Sequence, residues 1–100
     1  MEKRELYRQK YEAQVREWQA KLDGMKAQAD KLTAQAKLDV KPRLDAVHAK
    51  LETAKAKLNE VAGATNEKWD AVVKDVDHAW NEFKAAAQGA FDAVKRHKKD

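Results

Sequence analysis

Apolar side chains recur along this chain with the spacing of a coiled-coil seam. In the first third they follow one another at alternating steps of four and three residues, and the members are Tyr11, Val15, Trp18, Leu22, Met25, Ala29, Leu32 and Ala36. A second series with the same spacing follows, and its members are Leu44, Val47, Leu51, Ala54, Leu58 and Val61. This spacing predicts amphipathic α-helices whose apolar faces meet along a narrow line.

The two series are joined at Val40 by two successive steps of four residues, which keep the seam in phase. This continuity predicts one helix from about residue 3 to about residue 62. Pro42 lies in its middle, where a proline removes a hydrogen bond and costs about 3 kcal/mol. We therefore expect a kink or a break at residues 39–42, and we favour the kink because no glycine is available there to reverse the chain.

The strongest turn signal covers residues 63–66. Gly63 suits the left-handed position after a helix C-terminus, and Thr65 or Asn66 suits the next N-cap. A final helix is predicted over about residues 66–97. Its apolar stripe is the most aromatic of the chain and consists of Trp69, Val73, Val76, Trp80, Phe83, Ala87, Ala90, Phe91 and Val94.

These elements predict an all-α fold in a single helical domain over residues 1–100. We expect an elongated helical hairpin or coiled coil, in which a long helix kinked near Pro42 precedes a shorter one. The alternative is a three-helix bundle, formed if Pro42 breaks the long helix. Composition agrees with an all-α fold, since 38% of residues are charged and only three glycines and one proline are available for turns.

A mismatch of helix lengths bears on function. A helix of about 60 residues is about 90 Å long, and the final helix reaches only about half of that. Folded back as a hairpin, the final helix leaves the stripe from Tyr11 to Met25 uncovered, and large exposed apolar stripes usually mark an interaction site. The candidate interaction or lipid-facing residues are Tyr11, Val15, Trp18, Leu22, Met25, Leu32, Trp69, Val73, Val76, Trp80, Phe83 and Phe91.

Residues suited to catalysis or metal binding are sparse. The chain has no Cys and no Ser, and its glycines stand alone, so we expect no enzyme, no cofactor and no small-molecule substrate. Two Asp-x-x-His pairs, Asp45 with His48 and Asp75 with His78, have a spacing similar to that of dimetal helical bundles. All four fall off the seam, towards solvent, so no metal site is predicted.

Charge and hydropathy limit the partners and the location. The net charge of +4 is spread among interleaved acidic and basic residues, which predicts no nucleic-acid partner. No run approaches the roughly 20 apolar residues of a membrane span, and the charged start predicts no signal peptide. We expect a cytoplasmic protein, or one at the periphery of a membrane.

Three segments resemble the small bacterial coiled-coil proteins of about this length that are often grouped with stress response. They are residues 8–18 (RQKYEAQVREW), 63–69 (GATNEKW) and 77–83 (DHAWNEF). The pattern is also similar to that of exchangeable apolipoproteins, whose helices wrap lipid. The resemblance implies no enzyme activity and no cofactor.

The first expected function is therefore a self-associating amphipathic coiled-coil protein that binds or shapes lipid or membrane surfaces. The alternative is a soluble homo-oligomeric scaffold or stress-response protein that acts through helix–helix contacts. In both, the first partner is a second copy of the chain, as a dimer or larger. A third possibility is a desiccation-type protein that is disordered when dilute, although the tryptophan-rich seams argue against it.

Overall fold

A computed structural model describes residues 3–98, which form α1 (Lys3–Asp30), α2 (Ala34–Glu60) and α3 (Trp69–Lys98). A short 3-10 turn, Val61–Gly63, follows α2. The all-α class predicted from the spacing is confirmed, and the three-helix alternative fits the observed elements. The ends of the predicted domain, positions 1–2 and 99–100, lie outside the described residues.

The three helices run up, down and up along one long axis. α1 and α3 are parallel, since Tyr7 contacts Trp69 near the start of both helices. α2 is antiparallel to α3, since Asp39 near its start contacts His97 near the end of α3. The bundle measures 52 × 20 × 15 Å. It is elongated, as expected, but far shorter than the roughly 90 Å of an unbroken 60-residue helix.

The chain reverses between α1 and α2 at residues 31–33, and the break predicted at residues 39–42 was therefore misplaced. Thr33 has an extended backbone (φ −62°, ψ 160°), and its Oγ1 accepts a hydrogen bond from the Ala36 N–H at 3.2 Å. This bond caps the start of α2 by satisfying one of its free N–H groups. Residues 31–33 are called the α1–α2 turn below.

Pro42 lies inside α2, and the helix continues through it to Glu60. A proline at this position leaves the carbonyl of Leu38 without its helical partner. Both Pro42 and Leu38 are exposed, so water can bond that carbonyl. The helix therefore has one internal hydrogen bond fewer here without burying an unpaired group.

The connection between α2 and α3 also differs from the prediction at Gly63. Among residues 3–98 no glycine has a positive φ, so Gly63 does not adopt the expected left-handed conformation. Thr65 does act near the start of α3, because its Oγ1 accepts a hydrogen bond from the Lys68 N–H at 3.3 Å. Thr65 was one of the two predicted cap residues.

α2 and α3 form the most closely packed pair of helices. Their backbones approach each other along most of their length, whereas α1 lies further from α3. Small side chains permit the close approach of α2 and α3, and the buried alanines of these two helices are Ala36, Ala54, Ala79, Ala87, Ala90 and Ala93. The bundle is thus a tight α2–α3 hairpin with α1 laid against it.

Candidate functional site

All seven aromatic residues of the chain lie on α1 or α3, and none lies on α2. Their rings form one continuous series of contacts, within each helix and between the two helices. We call this set the aromatic layer, and its members are Tyr7, Tyr11, Trp18, Trp69, Trp80, Phe83 and Phe91. Large rings between α1 and α3 account for the wider spacing of these helices.

The ring contacts have the edge-on or tilted geometry that aromatic pairs favour. The centroids of Tyr11 and Trp80 lie 5.6 Å apart with their planes at 80°. Trp18 lies 5.2 Å from Phe83 and 6.0 Å from Phe91, so it bridges two rings of α3. The aromatic layer therefore joins α3 to the part of α1 that extends from Tyr7 to Trp18.

A small polar group lies at the edge of the aromatic layer. The hydroxyls of Tyr7 and Tyr11 both donate to Oδ1 of Asp77, at 3.0 Å and 2.6 Å respectively. The Tyr7 hydroxyl also lies 3.4 Å from the carbonyl oxygen of Val73. These bonds fix the register of α1 on α3, because both donors are on one helix and the shared acceptor is on the other.

Burial raises the pKa of Tyr11 to about 12, and its hydrogen bond to Asp77 adds to the effect. The pKa of Tyr7 is also raised, first by burial and then by its hydrogen bond to Asp77. Both phenols therefore stay protonated near neutral pH and act as hydrogen-bond donors.

Lysines of α1 lie over the outer faces of three rings. The ammonium of Lys21 is 4.7 Å from the ring centroid of Trp18, and that of Lys3 is 5.6 Å from Trp69. Lys10 lies 5.9 Å from its neighbour Tyr11. The half-buried rings of the aromatic layer are thus bordered by cations.

The α2–α3 hairpin is tied by two contacts between charged or titratable side chains. Lys50 Nζ donates to Glu82 at 3.2 Å, and this bond holds the pKa of Glu82 below its usual value. His97 Nε2 lies 2.9 Å from Asp39, and this contact is the main cause of a lowered pKa for Asp39. Both carboxylates are therefore stabilised in their charged form at the surface.

The candidate interaction residues lie inside the bundle or at its edge. The buried members are Val15, Leu22, Met25, Val76, Trp80 and Phe83. The partly buried members are Tyr11, Trp18, Leu32, Trp69, Val73 and Phe91.

The expectation that the stripe from Tyr11 to Met25 lies bare is wrong, because α1 folds back on the α2–α3 hairpin. Met25 is only 2% exposed. The length mismatch therefore no longer requires an external partner.

The sequence analysis did not single out two residues that take part in the polar and aromatic contacts, Tyr7 and Asp77. Tyr7 lies one step of four residues before Tyr11, so the first seam extends one position further towards the N-terminus. Asp77 carries no such signal, because acidic side chains are frequent on the polar faces of all three helices. Its role depends on the register of α1 against α3, which the spacing within each helix does not fix.

The two Asp-x-x-His pairs lie apart from the aromatic layer. Asp45, His48, Asp75 and His78 are all exposed. His78 contacts Glu82 at 3.2 Å, one turn further along α3. In the part of the chain that the structure describes, no three His, Asp or Glu side chains cluster so that they could hold a metal ion.

A shallow cavity of about 290 Å³ separates α1 from α2 near the α1–α2 turn. Its apolar floor is formed by Leu22, Ala29, Val40 and Leu44. Its rim carries lysines together with aspartates, so it favours neither an anionic nor a cationic ligand. The cavity is thus a partly open groove between α1 and α2.

Comparisons with protein-family models, curated proteins and solved structures gave no match for this chain. Within residues 3–98, no helix has the length and the apolar character needed to cross a membrane.

Proposed function

We propose that this protein binds lipid surfaces without catalysing a reaction, by opening at the α1–α2 turn and laying its aromatic layer on the acyl region. One observation carries the proposal: every aromatic ring of the chain lies between α1 and α3. A single movement of α1 away from the hairpin would therefore uncover all the rings on two amphipathic helices at once.

The balance of free energy favours such an opening next to lipid. Apolar burial contributes about 25 cal/mol per Å² whether the covering surface is protein or acyl chain. The apolar surface that α1 uncovers when it lifts off would thus be covered again by acyl chains. The specific cost includes the breaking of the hydrogen bonds from Tyr7 and Tyr11 to Asp77 and of the bond from Arg4 to Asn66. Because these bonds are exposed to water, each contributes about 0.5–1.5 kcal/mol.

The cations beside the rings fit the same proposal. Lys3, Lys10 and Lys21 lie over rings of the aromatic layer. In interfacial helices, long basic side chains reach from an apolar face towards the lipid headgroups. The proposal puts the protein in the cytoplasm at the periphery of a membrane, and the lack of cysteine fits a reducing compartment.

The test is flotation with vesicles of mixed phosphatidylcholine and phosphatidylglycerol, some prepared with brominated acyl chains. A variant with Trp18→Phe and Trp69→Phe keeps Trp80 as its single tryptophan. We expect the protein to float with the vesicles and the bromine atoms to quench Trp80 emission. A protein that stays at the bottom of the gradient would exclude the proposal, and flotation without quenching would exclude opening.

A matched pair of variants tests which contact controls the opening. Tyr7→Phe combined with Tyr11→Phe removes the bonds to Asp77 and keeps both rings, so it should increase the bound fraction. Glu82→Gln weakens the tie to Lys50 between α2 and α3, and it should leave the bound fraction unchanged. An equal response to both changes would mean that the whole bundle unfolds on lipid.

A second candidate is a soluble homo-oligomeric scaffold or stress-response protein that acts through helix–helix contacts. It is favoured by the apolar seam, which stays in phase across the α1–α2 turn from Ala29 through Leu32 to Ala36. A chain that associates only with itself would show a mass above that of the monomer without lipid and no flotation.

A further inference from the structure

We propose that α1 is exchanged between two copies of this chain, so that the α1–α2 turn straightens and α1 of each copy packs on the α2–α3 hairpin of the other. The occupant of the surface that α1 covers is then α1 of a second copy. This inference does not depend on lipid binding, because the exchange needs only the chain itself.

The α1–α2 turn lacks the residues that normally fix a reversal. It consists of Lys31, Leu32 and Thr33, without glycine or proline. The N–H groups of Lys31 and Leu32 still bond the carbonyls three residues earlier, at 3.2 Å and 3.1 Å, so the chain stays close to helical there. Thr33 is the extended residue, and a rotation of its ψ from 160° to a helical value of about −42° would help to continue the helix.

The seam would remain on one face after that change. Ala29, Leu32 and Ala36 follow at steps of three and four residues across the turn, and all three pack towards the core or lie buried in the closed chain. A continuous helix from Lys3 to Glu60 would therefore present one apolar stripe along its whole length. That helix would be about 87 Å long.

Because α1 and α2 are antiparallel, the exchange of α1 between two copies gives a closed dimer. If α1 of one copy takes its usual place beside α2 of the other, the two long helices run antiparallel and are related by a two-fold axis. Each aromatic contact between α1 and α3 of the closed monomer is then remade between the copies. The dimer differs from two monomers mainly at residues 31–33, where the Thr33 cap is replaced by a continuous helix.

Open space beside the α1–α2 turn leaves room for the turn to straighten. The cavity bordered by Leu22, Ala29, Val40 and Leu44 lies where α1 and α2 join. The cavity therefore forms an open groove between the two helices at that point. Short connections between helices that could join into one are known sites of domain exchange.

The test is mass by light scattering over a series of concentrations, in buffer without lipid, on the full chain. Thr33→Ala removes the cap and favours helix, and it should lower the dimer dissociation constant by about tenfold. Thr33→Gly disfavours a continuous helix and should raise the constant. The control is Thr53→Ala, an exposed threonine within α2 whose hydroxyl bonds only the Ala49 carbonyl, and it should leave the constant unchanged.

Small-angle scattering on the dimer should give a longest dimension of about 90 Å, against 52 Å for the closed monomer. A dimer fraction that does not depend on residue 33 would overturn the proposal, and so would a monomer at every concentration for both wild type and Thr33→Ala. Circular dichroism confirms that each variant is folded. Because no lipid is present, this result is separate from the outcome of vesicle flotation.

Discussion

The ring of Trp18 on α1 lies edge-on against that of Phe83 on α3, with centroids 5.2 Å apart and planes at 83°. Position 18 stands in the middle of the stripe that a two-helix hairpin would leave bare, and this contact covers it. Edge-on aromatic pairs contribute about 0.5–1.5 kcal/mol beyond the area they bury. The aromatic layer thus covers within one chain a surface that would otherwise need a partner.

Trp80→Ala is expected to lower the free energy of unfolding by about 3–5 kcal/mol, because a buried tryptophan leaves a large cavity. The indole is 4% exposed and contacts the rings of Tyr11 and Phe83. Urea unfolding followed by circular dichroism measures the change. Leu38→Ala serves as the control, since Leu38 is 78% exposed and its truncation should change the free energy by less than about 0.5 kcal/mol. Equal effects of the two substitutions would contradict the packing of Trp80.

Acid should weaken the α2–α3 hairpin through Asp39 and Glu82. The pKa of Asp39 lies below its ordinary 3.8 because of His97, and that of Glu82 lies below its ordinary 4.5 because of Lys50. Since the pKa of each is lower in the folded chain than in the unfolded one, their stabilisation is complete above about pH 4.5 and is lost as the pH falls through the folded values.

The measurement is the melting temperature as a function of pH, for wild type and for Glu82→Gln. The variant cannot lose a carboxylate at position 82, so its melting temperature should fall less between neutral and acid pH. Lys50 is left without its ion pair in the variant, so its stability at neutral pH should already be slightly lower. Parallel curves of melting temperature against pH for the two proteins would show that the Lys50–Glu82 contact does not contribute to the loss of stability in acid.

Alkali should detach α1 first, through the two tyrosines that bond Asp77. The pKa of Tyr11 is raised from 10.0 to about 12, and the pKa of Tyr7 is also raised, in both cases chiefly by burial. A raised pKa in the folded state means that the stabilisation is complete below pH 10 and is lost as the pH rises towards 12. Phenolate absorbance should therefore appear later in the folded chain than in the same chain in urea.

The variant with Tyr7→Phe and Tyr11→Phe isolates this effect. It keeps both rings but has no phenol to ionise, so its melting temperature should fall less steeply between about pH 10 and about pH 12 than that of wild type. Lysines lose their charge in both proteins over the same range, and their effect cancels in the comparison. Normal titration of both tyrosines near pH 10 would mean that α1 is not held as described.

The spacing of apolar residues predicted which side chains of each helix face inwards. Val15, Met25, Val76 and Phe83 all lie on predicted seams and are all buried. The inward-facing residues could be predicted because the inward face of an amphipathic helix depends on its own periodicity and not on the identity of its partner. The pairing of Tyr7 and Tyr11 with Asp77 could not be predicted from the sequence, because it depends on the relative register of two helices.

The position of the reversal between α1 and α2 was not predicted, because the local sequence signals favour a break near Pro42 whereas packing favours one at residues 31–33. Pro42 is the strongest helix breaker in the chain, whereas residues 31–33 contain no glycine or proline, and Thr33 is a cap without a Glu or Gln three residues later. Burying one large apolar side chain stabilises the fold by about 1.5–3 kcal/mol. Hiding several of them by folding α1 back therefore outweighs the few hydrogen bonds broken at Thr33, each of which contributes about 1 kcal/mol.

Pro42→Ala distinguishes the two positions where the first helix could have broken. Restoring the N–H at residue 42 should raise the free energy of unfolding by about 2 kcal/mol, which is the interior cost of proline less the entropy it removes from the unfolded chain. Lys41→Ala, at the exposed neighbouring position, is the control and should change it by less than about 0.5 kcal/mol. Because Pro42 lies within α2 in both the closed monomer and the exchanged dimer, Pro42→Ala should leave the dimer fraction unchanged. A dimer fraction that responds to residue 42 and not to Thr33 would mean that the chain straightens at the proline instead.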